Sequence, residues 1–339
     1  MNLVRAGFSP LFKQDFYQSN WRLTHRYNFA CSYCINQETR IVSAELSEAL
    51  MLQTMKYLCP TDKSRYHCAL SGGEVTLYPH LEEMLRTINE WFRGKQCGIN
   101  LLSNGSASID KMRSLLRAAA PHNIMFIITL HLDHIDMDTF AANLATFSDT
   151  ERAKFFLVKL IAAPGNMPQA LKAKKMLDDA RLANYRIQHV LDFDTGIISP
   201  EYTQEELDLI TSLRAERPAA KYMQLFNEYE DGEQRIIKTF TYTQGVEQRL
   251  LDYRGMYCAA GYTSFRVDEF GEIRKSRLYG DMGYTAAERN PFTDPNFITP
   301  VRCPAAHCTC ISYSRLPKWM HSADAPEYVK QDTEAYAWR

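Results

Sequence analysis

The sequence of 339 residues has no apolar run near the ~20 residues that cross a bilayer, and its start, MNLVRAGFSPLFKQDF, lacks the apolar core of a secretory signal. No membrane span is expected, and the chain reads as cytoplasmic. There is no block of lysine and arginine either, and 39 basic against 40 acidic residues leave a net charge of −1. Nucleic acids and anionic membranes, which are held by dense positive charge, are therefore not expected partners. Internal repeats and low-complexity tracts are absent. Nine cysteines, an odd number in a chain of cytosolic type, argue against a disulfide framework. Metal or redox use is what remains for them.

Their placement says more than their number. Cys31 and Cys34 follow an apolar run near the front, and Cys258, Cys303, Cys308 and Cys310 gather near the end. Cys59, Cys68 and Cys97 sit singly in apolar stretches and read as small buried hydrophobes. With 45% hydrophobic residues, the chain is long enough for one large domain and a smaller one.

From residue 21 to about 216, short β-like runs alternate with amphipathic helices. The strand candidates are 21–27, 66–72, 98–104, 124–131, 154–162 and 185–193. Leu46, Leu50, Met51, Met55 and Leu58 share one helical face, and Leu81, Leu85, Ile88 and Phe92 another. Pro79 and Pro168 stand at helix starts, and Thr203 with Glu206 reads as a capping box. Six β-α units in succession imply a parallel sheet, because each strand needs a crossover helix to reach a parallel neighbour. An open doubly wound sheet and a partial barrel both satisfy that pattern, and both collect ligands at the carboxyl ends of their strands. After about residue 217 the alternation stops. A hairpin is expected at Asp231 and Gly232, then a loop-rich stretch over 255–312 that needs a metal or another staple.

Three strand ends carry chemistry in order. Cys31 and Cys34 follow the first, Gly72, Gly73 and Glu74 the second, and Ser103 and Asn104 the third. Singly, each is a common turn or loop. Together they resemble the radical SAM superfamily, over residues 21 to about 216. The resemblance implies an α/β fold, a partial (β/α)6 TIM-like barrel, with a C-x3-C-x2-C loop after its first strand. In that family three thiolates hold a 4Fe–4S cluster whose open iron chelates S-adenosylmethionine. Carried over, Cys31 and Cys34 are cluster ligands, and Gly72, Gly73 and Glu74 contact the methionine amino group. Ser103 and Asn104 face the ribose or carboxylate, and Tyr33 lies by the adenine. Val75 replaces a frequent proline. On this alignment a side chain added by Gly73→Val blocks the methionine end and leaves the iron nearly intact.

The first cysteine of the loop is missing, and Tyr27 stands in its place. The expectation is that Tyr27 ligates as a phenolate, since a bound cation favours ionisation of a phenol whose free pKa is about 10. The rival reading is a decayed site. His25 is a substitute ligand that starts further from the loop.

The last cysteines resemble the SPASM or twitch extension of the same superfamily. Cys258 is followed after twelve residues by Gly271, but the next cysteine of that pattern falls on Ser276. Cys258, Cys303, Cys308 and Cys310 together offer four thiolates, enough for an auxiliary 4Fe–4S cluster or a structural zinc. The neighbouring core favours the cluster. The expected divisions are an N-terminal extension over 1–20, the core over 21–216, and a loop-rich auxiliary-cluster domain with its tail over 217–339. The stretch TLHLDHID at 129–136 is similar to an HxHxDH zinc motif, but Thr129 replaces its first histidine. His131 is instead expected to end the fourth strand near the barrel mouth.

The resemblance implies an oxidoreductase-type enzyme that cleaves S-adenosylmethionine to a 5′-deoxyadenosyl radical and takes hydrogen from a peptide or small molecule. A low-potential electron donor such as flavodoxin or ferredoxin is then an implied partner. About twenty residues precede the core, which points away from a fused leader-peptide recognition domain. Two other readings stay open: a degenerate radical SAM scaffold that only binds, and a zinc-stapled α/β protein.

Overall fold

The computed structural model describes residues 3–9, 16–31, 33–34, 44–58, 65–182, 184–190, 198–215, 223–229, 231, 234–240, 252–262, 264–275, 284–285, 290–304, 316 and 318–321. Cys59, Gly232, Ser276, Cys308 and Cys310 lie outside the described residues.

After β1 (Leu3–Ser9) and β2 (Phe16–Arg22) the chain alternates: α1 (Glu48–Leu58), β3 (Arg65–Ser71), α2 (Leu81–Trp91), β4 (Gln96–Ser103), α3 (Ile109–Ala119) and β5 (Asn123–Leu130). Then come α4 (Met137–Ala145), α5 (Asp149–Phe155), β6 (Phe156–Ala162), α6 (Met167–Asp179), β7 (Tyr185–His189) and α7 (Gln204–Ala215). Strands β2 to β7 pair in sequence order, all in parallel. A doubly wound sheet reverses its order at a switch point. This wall does not, so right-handed crossovers put the helices on one face, as in a partial barrel.

Alternation along the strands sets the two faces of the wall. Tyr66, Cys68 and Leu70 of β3, Phe126, Ile128 and Leu130 of β5, and Val158 and Leu160 of β6 are buried under the helices. Residues between them are half-buried on the concave side. On α2, Leu81, Met84, Leu85 and Ile88 recur at helical spacing and are all buried. Each such side chain stabilises the fold by about 1.5–3 kcal/mol on leaving water. Cys68 and Cys97 are buried small side chains, as expected. The box at α7 is present: Thr203 N–H donates to Glu206 Oε2 at 2.9 Å, and Glu206 N–H to Thr203 Oγ1 at 3.2 Å.

The first parallel strand starts at Phe16 rather than Trp21 and ends at Arg22. Beyond it the backbone leaves the ladder, with His25 N–H donating to Ala44 O at 2.7 Å. The expected hairpin is present as β8 (Met223–Tyr229) and β9 (Gln234–Phe240). Further on lie β10 (Tyr257–Cys258), β11 (Ser264–Val267), β12 (Glu272–Arg274), β13 (Tyr284–Thr285), α8 (Pro295–Ile298), β14 (Val301–Arg302) and β15 (Lys318–Trp319). A second sheet runs β14-β10-β15-β1-β8-β9, so residues 3–9 pair with strands from the far end of the chain.

One strand departs from expectation. β11 docks parallel on the outer side of β2, Ser264 opposite Gln18 through Val267 opposite Trp21, and β12 and β13 extend the sheet antiparallel. Phe265, Val267, Ile273 and Phe297 thereby join the main core. The stretch expected to lack a core shares that of the wall. No helix among the described residues is long and apolar enough to cross a membrane.

Candidate active site

Parallel pairing sets the carboxyl ends of β2, β3 and β4 side by side, and the segments leaving them are bonded together. Gly73 N–H donates to Thr24 O at 2.8 Å, and Glu74 N–H to Arg26 O at 2.7 Å. A Cβ on Gly72 would lie 2.6 Å from Thr24 O; one on Gly73 would lie 2.2 Å from Arg26 O and 2.9 Å from Tyr27 Cδ2. The two glycines are needed because the loop after β2 passes directly over them. This corrects the expectation for Gly73→Val. Its side chain would displace the segment carrying Tyr27, so the iron site would not stay intact.

Glu74 is fully buried, and its carboxylate is saturated. Oε1 accepts from Thr76 N–H at 3.1 Å, from Thr76 Oγ1 at 2.6 Å and from Ser103 Oγ at 2.8 Å, and Oε2 accepts from Asn104 N–H at 2.7 Å. Removing a carboxylate from water costs several kcal/mol, which charge-assisted bonds of this kind offset. Glu74, Ser103 and Asn104, separate signals in the sequence, therefore form one network. Asn104 extends it to the cysteine loop: its Nδ2 donates to Asn28 Oδ1 at 2.7 Å, and Asn28 Nδ2 donates to Ser106 Oγ at 2.7 Å. Asn28 and Ser106 have no sequence signal beyond their polarity.

Cys31 is buried and Cys34 half-buried, joined by a turn in which Cys34 N–H donates to Cys31 O at 3.3 Å. Between them Tyr33 stacks on His131 with ring centroids 5.7 Å apart, its hydroxyl 3.1 Å from Nδ1. Burial, followed by the nearby Cys31, pushes the Tyr33 phenol above its ordinary pKa, so it remains protonated. Phe29 stacks on His134 at 5.3 Å. The 129–136 stretch thus holds aromatics of the cysteine loop. Its Asp136 caps α4, and Asp133 Oδ1 accepts from Asn166 Nδ2 at 2.9 Å. The zinc-motif similarity has no structural counterpart in these roles.

A 4Fe–4S cluster at this loop needs three donors from the chain. Cys31 and Cys34 offer thiols across one turn, and Tyr27 offers a phenol on the segment held against Gly73. These are the residues that would hold the group, with one oxygen in place of a sulfur. Among the described residues no three His, Cys, Asp or Glu side chains gather as a metal site. His25 is already engaged: its Nε2 lies 2.6 Å from Glu269 Oε1, in a fully buried contact with the turn between β11 and β12. Arg22 grips the same carboxylate, Nη2 donating to Oε1 at 2.7 Å and Nε to Oε2. Losing one partner from so buried a group costs about 3–5 kcal/mol. Sequence reasoning missed Glu269, because its neighbours suggest only a turn.

The later cysteines begin a second constellation. Cys258 on β10 stands opposite Val301 on β14 and Lys318 on β15, and Cys303 N–H donates to Met256 O at 2.8 Å. One buried thiol thus lies on β10 and the other just past β14, which pairs with it. Buried beside them, Lys275 donates from Nζ to Thr299 O at 2.5 Å. Burial pushes its ammonium down to about 8, with Asp294 and then Cys258 opposing the shift. Gly271, at φ +79, turns β11 into β12, where a Cβ would lie 2.9 Å from Leu50 Cδ1.

Comparison with known proteins bears on the family and the fold. Residues 22–159 match the family model described as the radical SAM superfamily. The antilisterial bacteriocin subtilosin biosynthesis protein AlbA of Bacillus subtilis (strain 168) is 22% identical over 275 residues, 77% of this chain. The chain spans about half of that relative, 55% of its length. Streptococcus suis SuiB bound to precursor peptide SuiA matches with a TM-score of 0.52 and 12% identity, over 87% of this chain and 75% of that one. Histidine-tagged anSMEcpe with bound AdoMet matches with a TM-score of 0.52 and 12% identity, over 84% of this chain and 79% of that one. At such identities the two structures share a fold with this chain.

Proposed function

We infer, for a chain whose residues 22–159 belong to the radical SAM superfamily, that it is an enzyme which cleaves S-adenosylmethionine reductively and takes hydrogen from its substrate. The observation that carries this reading is the network from Glu74 through Ser103 and Asn104 to Asn28, which ties the cysteine loop to two further strand ends. When bound, a 4Fe–4S cluster held by Tyr27, Cys31 and Cys34 supplies the electron that breaks a carbon–sulfur bond of S-adenosylmethionine. The chain's own residues orient that chemistry. The Gly72, Gly73 and Glu74 segment meets the methionine end through its backbone, since the Glu74 carboxylate is taken up by Thr76, Ser103 and Asn104. Ser103 and Asn104 lie toward the ribose or carboxylate, and Tyr33 offers a ring to the adenine. A low-potential donor such as flavodoxin or ferredoxin delivers the electron.

The core, expected over 21–216 but with its first strand starting at Phe16, carries this site, and residues 217–339 carry an auxiliary 4Fe–4S cluster on Cys258, Cys303, Cys308 and Cys310. A buried Cys258 on β10 and a buried Cys303 just past the adjoining β14 support that second cluster. Cys303→Ala is expected to lose about four irons per chain, since a 4Fe–4S cluster depends on its thiolates. Unchanged iron with equimolar zinc in the wild type would refute the second cluster. A peptide or small molecule is the substrate; the precursor peptide bound by SuiB, a protein of the same fold, favours a peptide. Incubation of anaerobically reconstituted protein with S-adenosylmethionine and dithionite tests the function, which requires 5′-deoxyadenosine as product.

A further inference from the structure

The parallel wall is short of negative charge. Strands β2 to β7 contain no aspartate or glutamate along their whole length. They do contain Lys159 in the middle of β6 and Arg186 on β7, which stand directly opposite each other in the parallel register. Thr129 of β5 stands opposite Lys159 on the other side. The flanking residues Ile128, Leu130, Val158, Leu160, Tyr185 and Ile187 are buried under the helices, so the row Thr129–Lys159–Arg186 faces the concave side. Thr129 is the last residue but one of its strand, which puts the row near the carboxyl ends where such folds hold their ligands.

Two like charges on adjoining strands repel, and partial enclosure adds a desolvation cost. Both effects show in the cations. Burial, and then Arg186, lower the Lys159 ammonium from its ordinary pKa, and burial lowers the Arg186 guanidinium. Among the described residues neither side chain has an ion pair or a hydrogen bond that would relieve this. Two other cations of the sheet region are already held: Arg22 by Glu269, and Arg214 by Ile187 O and His189.

We propose that Thr129, Lys159 and Arg186 form a binding site for an anionic group, a carboxylate or a phosphate ester, on a ligand that enters the concave face. The guanidinium provides a planar fork, the ammonium a point charge and the threonine a hydroxyl, which together suit a planar or tetrahedral oxyanion. Calling the concave face a ligand site rests on the proposed function; the placement of the two cations does not.

Inorganic phosphate is the test compound. Its binding is measured by thermal shift at fixed ionic strength in the wild type, Lys159→Met, Arg186→Met and the surface control Lys175→Met, whose side chain is 75% exposed. Saturable stabilisation is expected in the wild type and the control, with affinity about tenfold weaker or worse in both site variants, as loss of a charge-assisted contact implies. Without phosphate, Lys159→Met should melt no lower than the wild type, because it removes a cation that nothing pairs. An identical phosphate response in all four proteins, or a lower melting temperature for phosphate-free Lys159→Met, would overturn the site. The source of the anion is read with S-adenosylmethionine and 5′-methylthioadenosine, which lacks the carboxylate. If Lys159→Met weakens only the former, the anion is the methionine carboxylate; if it weakens neither, the anion belongs to the substrate. A wild type that responds to phosphate and binds no S-adenosylmethionine would remove the proposed function and leave this site standing.

Discussion

Gly73→Val is expected to abolish S-adenosylmethionine binding and to strip the N-terminal cluster in the same step. A first side-chain carbon at Gly73 would sit 2.2 Å from Arg26 O and 2.7 Å from Arg26 C, and these are backbone atoms that no rotamer change can move aside. The loop after β2 would have to lift. With it would go Tyr27, at 2.9 Å from the added carbon, and the bond from Glu74 N–H to Arg26 O. Overpacking of this kind costs about 1–3 kcal/mol or more, so a lower melting temperature should accompany the loss of about half the iron. Full iron with no S-adenosylmethionine binding would restore the simpler picture, in which this glycine only makes room for the cofactor.

Tyr27→Phe makes the opposite kind of change. It keeps the ring edge that meets Gly73 and removes one oxygen, so the loop should hold its place. If that oxygen is the third iron ligand, about half of the total iron and all 5′-deoxyadenosine formation should disappear while the melting temperature of the metal-free protein hardly changes. Tyrosinate on iron has a precedent in catalase haem, so the donor is chemically sound. Full cluster occupancy in Tyr27→Phe would show that the phenol is not a required ligand. A wild type holding iron only at its C-terminal site would show that the first site has decayed. Together the variants separate a steric from a coordinative role on neighbouring segments.

How much of this is legible in the sequence follows from where each signal lives. The six β-α units are readable because alternation and helical spacing are local: Leu81, Leu85 and Ile88 announce α2 without any other part of the chain. The doubly wound and barrel readings stay tied, since strand order depends on contacts across the chain. Cys31, Gly73, Glu74, Ser103 and Asn104 are legible as strand-end residues, but not as a network, because the bond from Ser103 Oγ to Glu74 exists only once β3 and β4 are paired. Glu269 is hidden for the same reason. It meets Arg22 and His25 only after β11 has docked on β2. Lys159 is visible as a lone cation in the apolar run FLVKLIA, yet its meaning waits on Arg186 lying opposite. The strand expected at 21–27 is misplaced because its apolar beginning belongs to β2 and its polar end to the loop.

The central claim is that this chain, with a tyrosine where the first loop cysteine would stand, carries out radical chemistry. The most direct measurement is 5′-deoxyadenosine formed by the anaerobically reconstituted wild type with S-adenosylmethionine and dithionite, set against the iron count of the same sample. The account predicts about eight irons per chain, as two 4Fe–4S clusters require, and 5′-deoxyadenosine that accumulates in the wild type and vanishes in Cys31→Ala. A full iron complement with no 5′-deoxyadenosine would contradict it and leave a scaffold that only binds.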